Sequence, residues 1–278
     1  MGLKIVFDNL TNTGTLGSSG TFETNLPLTN LAIPSRSKTA RTTTDADFNI
    51  TENFTESQYC SAFCITQFNF TTAATIRLRI YSGENQTGTL LYDSGVTNIY
   101  ELKGWGEFIW AIPDSWGDTW NTEDTAPIFI LFFDSVIFKS ILVDISDSSN
   151  PDNYIEIGRM FYGQTSELAV DVDEGLSIGY EENTKQFRTA SGTLRANQAT
   201  PFRVLNFSRS VISDSEQLLL LQQTKKTGKR VDLLVSVYPD AEVAIKQEHT
   251  FIGKLKRVPK FTHTDTTNNK SNFMIEES

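Results

Sequence analysis

"ATIRLRIYSG", residues 74–83, decides the fold. Ile76, Leu78 and Ile80 fall on one phase of a two-residue period, and Arg77, Arg79 and Tyr81 on the other, the pattern of a strand with one face in a core and one in water. On either side lie "ADFNITENF" (46–54), "SAFCITQFNF" (61–70), "GEFIWAIP" (106–113), "PIFILFF" (127–133), "SILVDIS" (140–146) and "NYIEIGRMFYG" (153–163). Each reads as a further strand, and no helical period longer than two turns interrupts them before residue 165. The unbroken apolar run 127–133 predicts a strand covered on both faces. Residues 26–44, with two prolines, read as an edge-lying connector. An all-β sandwich of about eight strands follows, a jelly roll.

The corner "SDSSNPDNYIEIGRMFYG" (146–163) punctuates this unit. Pro151 presets one turn dihedral, and Asn150, Asp152 and Asn153 tolerate the tight conformations around it. The stretch reverses the chain between two core strands, and Asn150, Pro151 and Asp152 are its structural turn.

Composition shifts beyond Gly163. Short strand-like runs between 168 and 211 alternate with Gly, Asn and Ser turns, and one helix is expected over about 213–227. Ser213 and Glu216 have capping-box spacing at its start; Lys225, Lys226 and Gly228 suit its end. The chain is therefore read as mainly β: an acidic jelly roll over 1–163, resembling a carbohydrate-binding module, then a smaller β-rich assembly domain carrying one helix over 164–278.

Charge divides along the same line. Residues 1–165 hold nine Lys/Arg against 19 Asp/Glu, and 166–278 hold 15 against 15, so the whole net charge of −10 belongs to the first part. Such acidity argues against nucleic acid, whose binding needs clustered cations. No stretch approaches the roughly 18 apolar residues of a membrane span, and the first residues lack the pattern of a secretion signal, so neither membrane insertion nor export is expected. Cys60 and Cys64, the only cysteines, are about 13 Å apart if four residues separate them along a regular strand, too far for a disulfide. They read as two small buried apolar residues.

"FNFTTAATIRLRIYSG", "LLYDSG" and "ILVDISDSSNPDNYIEIGRMFYG" resemble, in that order, the N-terminal part of a family of tailed-bacteriophage minor tail or baseplate proteins. The matching positions are Asn69, Arg77, Arg79, Asp93-Ser94-Gly95 and Asp147 through Arg159. "FRTASGTLRANQATPFRVLNFSRSVISDSEQLLLL" and "LVSVYPDAEVAIKQEHTFIGKL" look like the second, ring-associated part of such proteins, so the resemblance spans most of the chain. It implies a non-enzymatic structural component of the virion, of distal-tail type, assembled in the host cytoplasm. Such a protein forms a homo-oligomeric ring or collar between the tail tube and the receptor-binding apparatus, with the hub and other baseplate proteins as neighbours.

The residues by themselves supply no nucleophile-base pair: the two histidines lie near neither cysteine nor a Gly-x-Ser-x-Gly elbow. No cofactor and no metal site is assigned. Asp171, Asp173 and Glu174, and Asp114, Asp118 and Asp124, form oxygen-rich runs without EF-hand spacing. Every tryptophan lies in "WGEFIWAIPDSWGDTW" (105–120). Trp105, Trp116 and Trp120 with Asp118 could form a glycan or partner surface, since ring faces stack on sugars and carboxylates fix hydroxyls. The plainer reading makes Trp110 core and the others loop packing. A carbohydrate-binding module or adhesin for a cell-surface glycan is thus the alternative to the tail-tip reading. Lys225, Lys226, Lys229, Arg230, Lys254, Lys256 and Arg257 are candidate assembly contacts to an acidic neighbour. A solvated helix end and strand face would look the same.

Overall fold

The computed structural model describes residues 2–100, 127–167, 175–197, 199–241, 243–263 and 269–278, without the side chains of 167, 243 and 244. The protein is mainly β; its described residues form two eight-stranded antiparallel sheets with a separate two-stranded hairpin. The opening strand, β1 (Lys4–Val6), lies in the second sheet rather than in the jelly roll.

The jelly roll is built from β2 (Thr15–Ser18), β3 (Ala40–Arg41), β4 (Phe48–Phe68), β5 (Thr75–Tyr81), β6 (Leu90–Asp93), β7 (Thr97–Asn98), β8 (Ile128–Ser146) and β9 (Glu156–Gly163). Its main path runs β3-β9-β4-β8-β5-β6, with β2 on β4 and β7 on β5. Sequence reading expected four strands where β4 and β8 are two long ones. A straight β4 of 21 residues would extend about 70 Å. Yet Ile145 pairs with Phe48 at one end of β4, and Asn150, five residues on, bonds Asn69 O at the other, a span of at most about 18 Å. β4 therefore doubles over, at register shifts between Asn53 and Gln58 and between Cys60 and Ala62. The exposed polar run 55–59 marks the fold-over. β5 pairs with β8 only from Ser140 onward, and β9 pairs with β4 only from Ala62 onward. Two layers result, with Ile76, Leu78 and Ile80 of one and Met160 and Tyr162 of the other in a single core.

The 147–155 corner carries the chain from one layer to the other. Asn150 donates from Nδ2 to Asn69 O at 3.0 Å and to Asp147 Oδ2 at 2.9 Å, and its Oδ1 accepts from Asp152 N at 3.0 Å. Pro151 and Asp152 are exposed, and Asn153 takes the left-handed φ of 57°. Residues 26–44 are not simply extended: they hold a 3-10 turn at Leu28–Ala32 and the short β3.

The second unit holds β10 (Thr165–Glu167), β11 (Ser177–Glu181), β14 (Phe202–Ile212), helix α1 (Asp214–Thr227), β15 (Leu233–Ser236), helix α2 (Val243–Glu248), β16 (Thr250–Arg257), β17 (Thr262–His263) and β18 (Asn269–Glu277). Between β11 and β14, β12 (Gln186–Arg188) and β13 (Leu194–Ala196) form the separate hairpin. Sheet order is β10-β1-β15-β16-β18-β14-β11, with β17 on β18. Among the described residues two helices stand where one was expected; the second is six residues long. At α1, Ser213 Oγ accepts from Glu216 N, but the Glu216 carboxylate turns away to Arg209 Nη1 at 2.7 Å, so the capping box is half made. None of the described helices is long and apolar enough to cross a membrane.

The second sheet is covered on both faces near β1. Ile5, Leu233 and Val235 enter its own core, where Phe207 and Phe273 stack 4.9 Å apart and Leu220 of α1 packs. Val6 and Leu234 point the other way, onto Ala62, Cys64 and Phe161 of the jelly roll. One jelly-roll layer is thus sandwiched between two cores. β9 is buried on both faces, as are β15 and residues 60–65 of β4; in the 127–133 run only Ile128 and Phe129 are buried. The register shift also separates the cysteines, Cys60 facing the jelly-roll core and Cys64 the junction. Both are free thiols, and burial pushes Cys60 up to about 12 and Cys64 higher still.

Chain entry to and exit from the jelly roll lie side by side. Asn9 Nδ2 donates to Met160 O at 2.9 Å, and Tyr162 N donates to Asn9 Oδ1 at 3.2 Å. At Gly163 a β-carbon would stand 2.5 Å from Asp8 O, so only glycine fits that approach.

Candidate functional site

The outward phase of β4, β8 and β5 writes a polar row across the jelly roll. Asn49 pairs with Asp144 and Asp144 with Arg77, in register, so their side chains share one face. Arg77 reaches the next strand with a two-pronged pair, Nε to Asp93 Oδ1 at 2.9 Å and Nη2 to Oδ2 at 2.6 Å. Arg79 Nη2 bonds Asp144 Oδ2 at 2.5 Å. The alternation that buries Ile76, Leu78 and Ile80 is what aims both arginines outward.

The Arg77 hydrogen bond, then the Gly95 N–H, hold Asp93 down at about 2, and Asp93 in turn raises Arg77. Both groups stay charged across the ordinary pH range, which suits fixed recognition and not proton transfer, for which a pKa near working pH is needed. Over the row opens a shallow groove of about 370 Å³, with Asp47, Asn49, Thr75, Arg77, Asp144 and Ser146 on its walls. Val96, 70% exposed, supplies an apolar patch at its rim. Forked donors, carboxylate acceptors and hydroxyls in one concave strip match the donor-and-acceptor character of sugar hydroxyls.

One carboxyl behaves oppositely. Glu52 is fully buried beneath this face, and burial raises it to about 8 against the opposing pull of Tyr162 and the Gly14 backbone. Neither carboxyl oxygen completes a hydrogen bond among the described residues, and a β-carbon on Gly14 would fall 2.2 Å from Oε1.

Trp105, Trp116, Trp120 and Asp118 lie outside the described residues, as do Asp114, Asp124 and the 171–174 acidic run. The basic candidates separate into two places. Lys226 bonds Asp8 at 2.5 Å, within the chain, and Lys225 and Arg230 are exposed near it in sequence. Lys229, Lys254 and Lys256 line a cleft between the two units, while Arg257 is exposed at the end of β16. Sequence reading missed the junction pair itself, Arg159 of β9 with Asp232, side chains 8% and 1% exposed. It passed over the Arg77-Asp93 fork too, although both residues stand in the quoted motif.

No protein-family model matches the chain, nor does any curated protein. Among solved structures, the chain is similar to chitosan-binding module 1 of a Paenibacillus chitosanase/glucanase, at 10% identity and TM-score 0.39 over 56% of this chain and 99% of that one. It is similar to a Streptococcus pneumoniae fucose binding module at 11% identity and TM-score 0.38, over 56% and 94%. A Ruminococcus gnavus fucosidase in complex with fucose matches at 10% identity and TM-score 0.39, over 57% of this chain and 27% of that one.

Proposed function

We propose that the protein is a non-catalytic recognition protein: its jelly roll binds a cell-surface carbohydrate, and its second β unit fixes that module in a larger assembly. The polar row Asn49-Asp144-Arg77-Asp93 under an open groove carries this reading. Each charge is pinned by a neighbour on the adjoining strand, so the donors and acceptors are oriented before a ligand arrives, which lowers the ordering cost of binding. A glycan array probed with the full chain tests it. Arg77→Ala and Asp144→Ala should abolish a specific signal, with Trp116→Ala and Trp120→Ala reporting on the tryptophan segment. A signal untouched by the first two removes the site from this face.

A separate observation supports self-assembly, the part of the tail-tip reading that this surface can carry. The hairpin β12-β13 is outside both sheets, and Phe187 and Leu194 are each 51% exposed on it. Residues 183–201 carry Lys185, Arg188 and Arg195 and no acid. A lone two-stranded hairpin is marginal in water, and a basic, aromatic one suits the acidic jelly roll of a second copy. In this reading the copies close into a ring in a phage tail tip, with tube and baseplate proteins on either side. Native mass spectrometry of the full chain should give a closed oligomer that Phe187→Asp reduces to monomer; a monomer at all concentrations, alone and with tail extract, defeats it.

A further inference from the structure

The cleft between the units is distinct from the groove on the outer face. Its volume is about 440 Å³, within the ordinary size of a small-molecule site, about 300–1,000 Å³. Three cations of its wall come from the second sheet and its flank, Lys229, Lys254 and Lys256, and Arg36, Arg159 and Arg203 join them. Their carboxylate partners are four: Asp232, Glu181, Glu276 and Glu277. Six cationic side chains thus gather against four acidic ones, in a chain whose total is −10.

Not all of these cations are equally occupied. Arg203 is saturated by Glu277 and by the carbonyls of Gln247 and Glu248. Arg36 spends its donors on Glu277 and the Ser278 carbonyl. Arg159 is different: Nη1 holds Asp232, while Nε, equally buried, has no partner among the described residues. Lys229 is exposed and has no ion-pair partner among them, and Lys254 shares Asp232 at 3.3 Å. A buried guanidinium N–H without an acceptor is costly, and a small shift of the Arg159 side chain toward the cleft it lines would offer that N–H to an anion there.

The rest of the wall suits a polyhydroxylated ring. Ile128, Ile252 and Leu255 offer apolar surface, and Gln67 an amide. Gln67 holds a left-handed φ of 57° inside β4, opposite Gly158, where a β-carbon would stand 2.6 Å from the Gln67 side chain. Non-glycine residues rarely keep that conformation, and such backbone outliers gather at ligand sites.

We propose that this cleft binds an anionic saccharide, a uronate or a sugar phosphate, with the charged group between Arg159 Nε, Lys254 and Lys229 and the ring against Ile252. The anion part rests on the cleft alone; the saccharide part rests on the carbohydrate reading above.

The test is titration of the full chain, at low salt, with glucose 6-phosphate, glucuronate, glucose and inorganic phosphate, followed by calorimetry. The two anionic sugars should bind with Kd of about 1 mM or tighter, and glucose should not. The comparison between them tells a uronate source from a phosphate one. Lys229→Gln with Lys254→Gln, both surface changes, should weaken binding at least about tenfold, as should raising the salt, because each removes screened charge attraction. Arg159→Lys, which keeps the junction charge but loses the Nε fork, should weaken it with the fold intact by circular dichroism. Lys139→Gln, on the jelly-roll surface outside both the cleft and the groove, should leave it unchanged, which separates the cleft from surface charge in general. Inorganic phosphate binding as tightly as glucose 6-phosphate overturns the saccharide assignment. Absence of saturable binding, or binding indifferent to the lysine changes, overturns the site.

Discussion

Glu52 occupies the inward phase of β4 between Ile50 and Phe54, where the alternation calls for an apolar side chain. With its folded-state value raised from 4.5 to about 8, the fold prefers the protonated acid. Stability is then complete below about pH 4.5 and drains away as pH rises toward 8, because the folded state binds more protons than the unfolded one across that window. Unfolding free energies from urea titration should fall over this range by on the order of a few kcal/mol, and Glu52→Gln should flatten the slope. An unchanged slope in Glu52→Gln would place the titration elsewhere. Asn150 is the other residue whose loss is predictable: buried, it braces the 147–152 corner and ties it to Asn69 through one amide. Asn150→Ala should cost about 1–3 kcal/mol in urea unfolding by leaving the Asn69 carbonyl without its donor. The phase of Glu52 was readable in "FNITENF"; its isolation was not, since Gly14 and Tyr162 come from distant parts of the chain.

At the scale of the element, β9 shows why a run of residues can be legible and its role hidden. "IGRMFYG" alternates as a strand should, but Arg159 and Phe161 on its supposedly outer phase are buried, because a second sheet covers them. A charged side chain in that phase reads as solvent-facing until the covering element is known. Removing one partner of a buried pair leaves an uncompensated charge, so Asp232→Ala should destabilise by about 3–5 kcal/mol, while Arg159→Met with Asp232→Leu should cost far less. Equal losses in the two would show the pair is not isolated from water. Helix α1 was legible in its bounds and its Ser213 cap, because capping is local, but not in the Glu216 half of the box, which Arg209 of β14 takes. Ser213→Ala should cost about 1 kcal/mol. The doubling of β4 was not legible: "TESQY" has the composition of a turn, and only pairing with the length of β8 makes it a fold-over within one strand.

For the whole molecule, the mainly β class and the helix could be read from periods and caps, whereas the membership of β1 in the second sheet could not. "LKIV" alternates equally well for either unit, and its pairing with β10 and β15 spans residues some 160 and 230 positions away. Ile5 and Val6 each enter a different core. A fragment of residues 164–278 should therefore fail to give dispersed amide spectra by itself and recover them when residues 2–8 are supplied as a peptide. Spectra already dispersed without the peptide would make β1 dispensable.

Because Asn9 and Tyr162 are bonded neighbours and β1 and β10 are adjacent strands of one sheet, both tethers of the jelly roll leave its platform at nearly the same point. Tension transmitted through the platform would bypass the module, which would ride on it unloaded. A different domain could replace it if its two ends emerge close together and it covers the sheet face that Val6, Leu234 and Asp232 present.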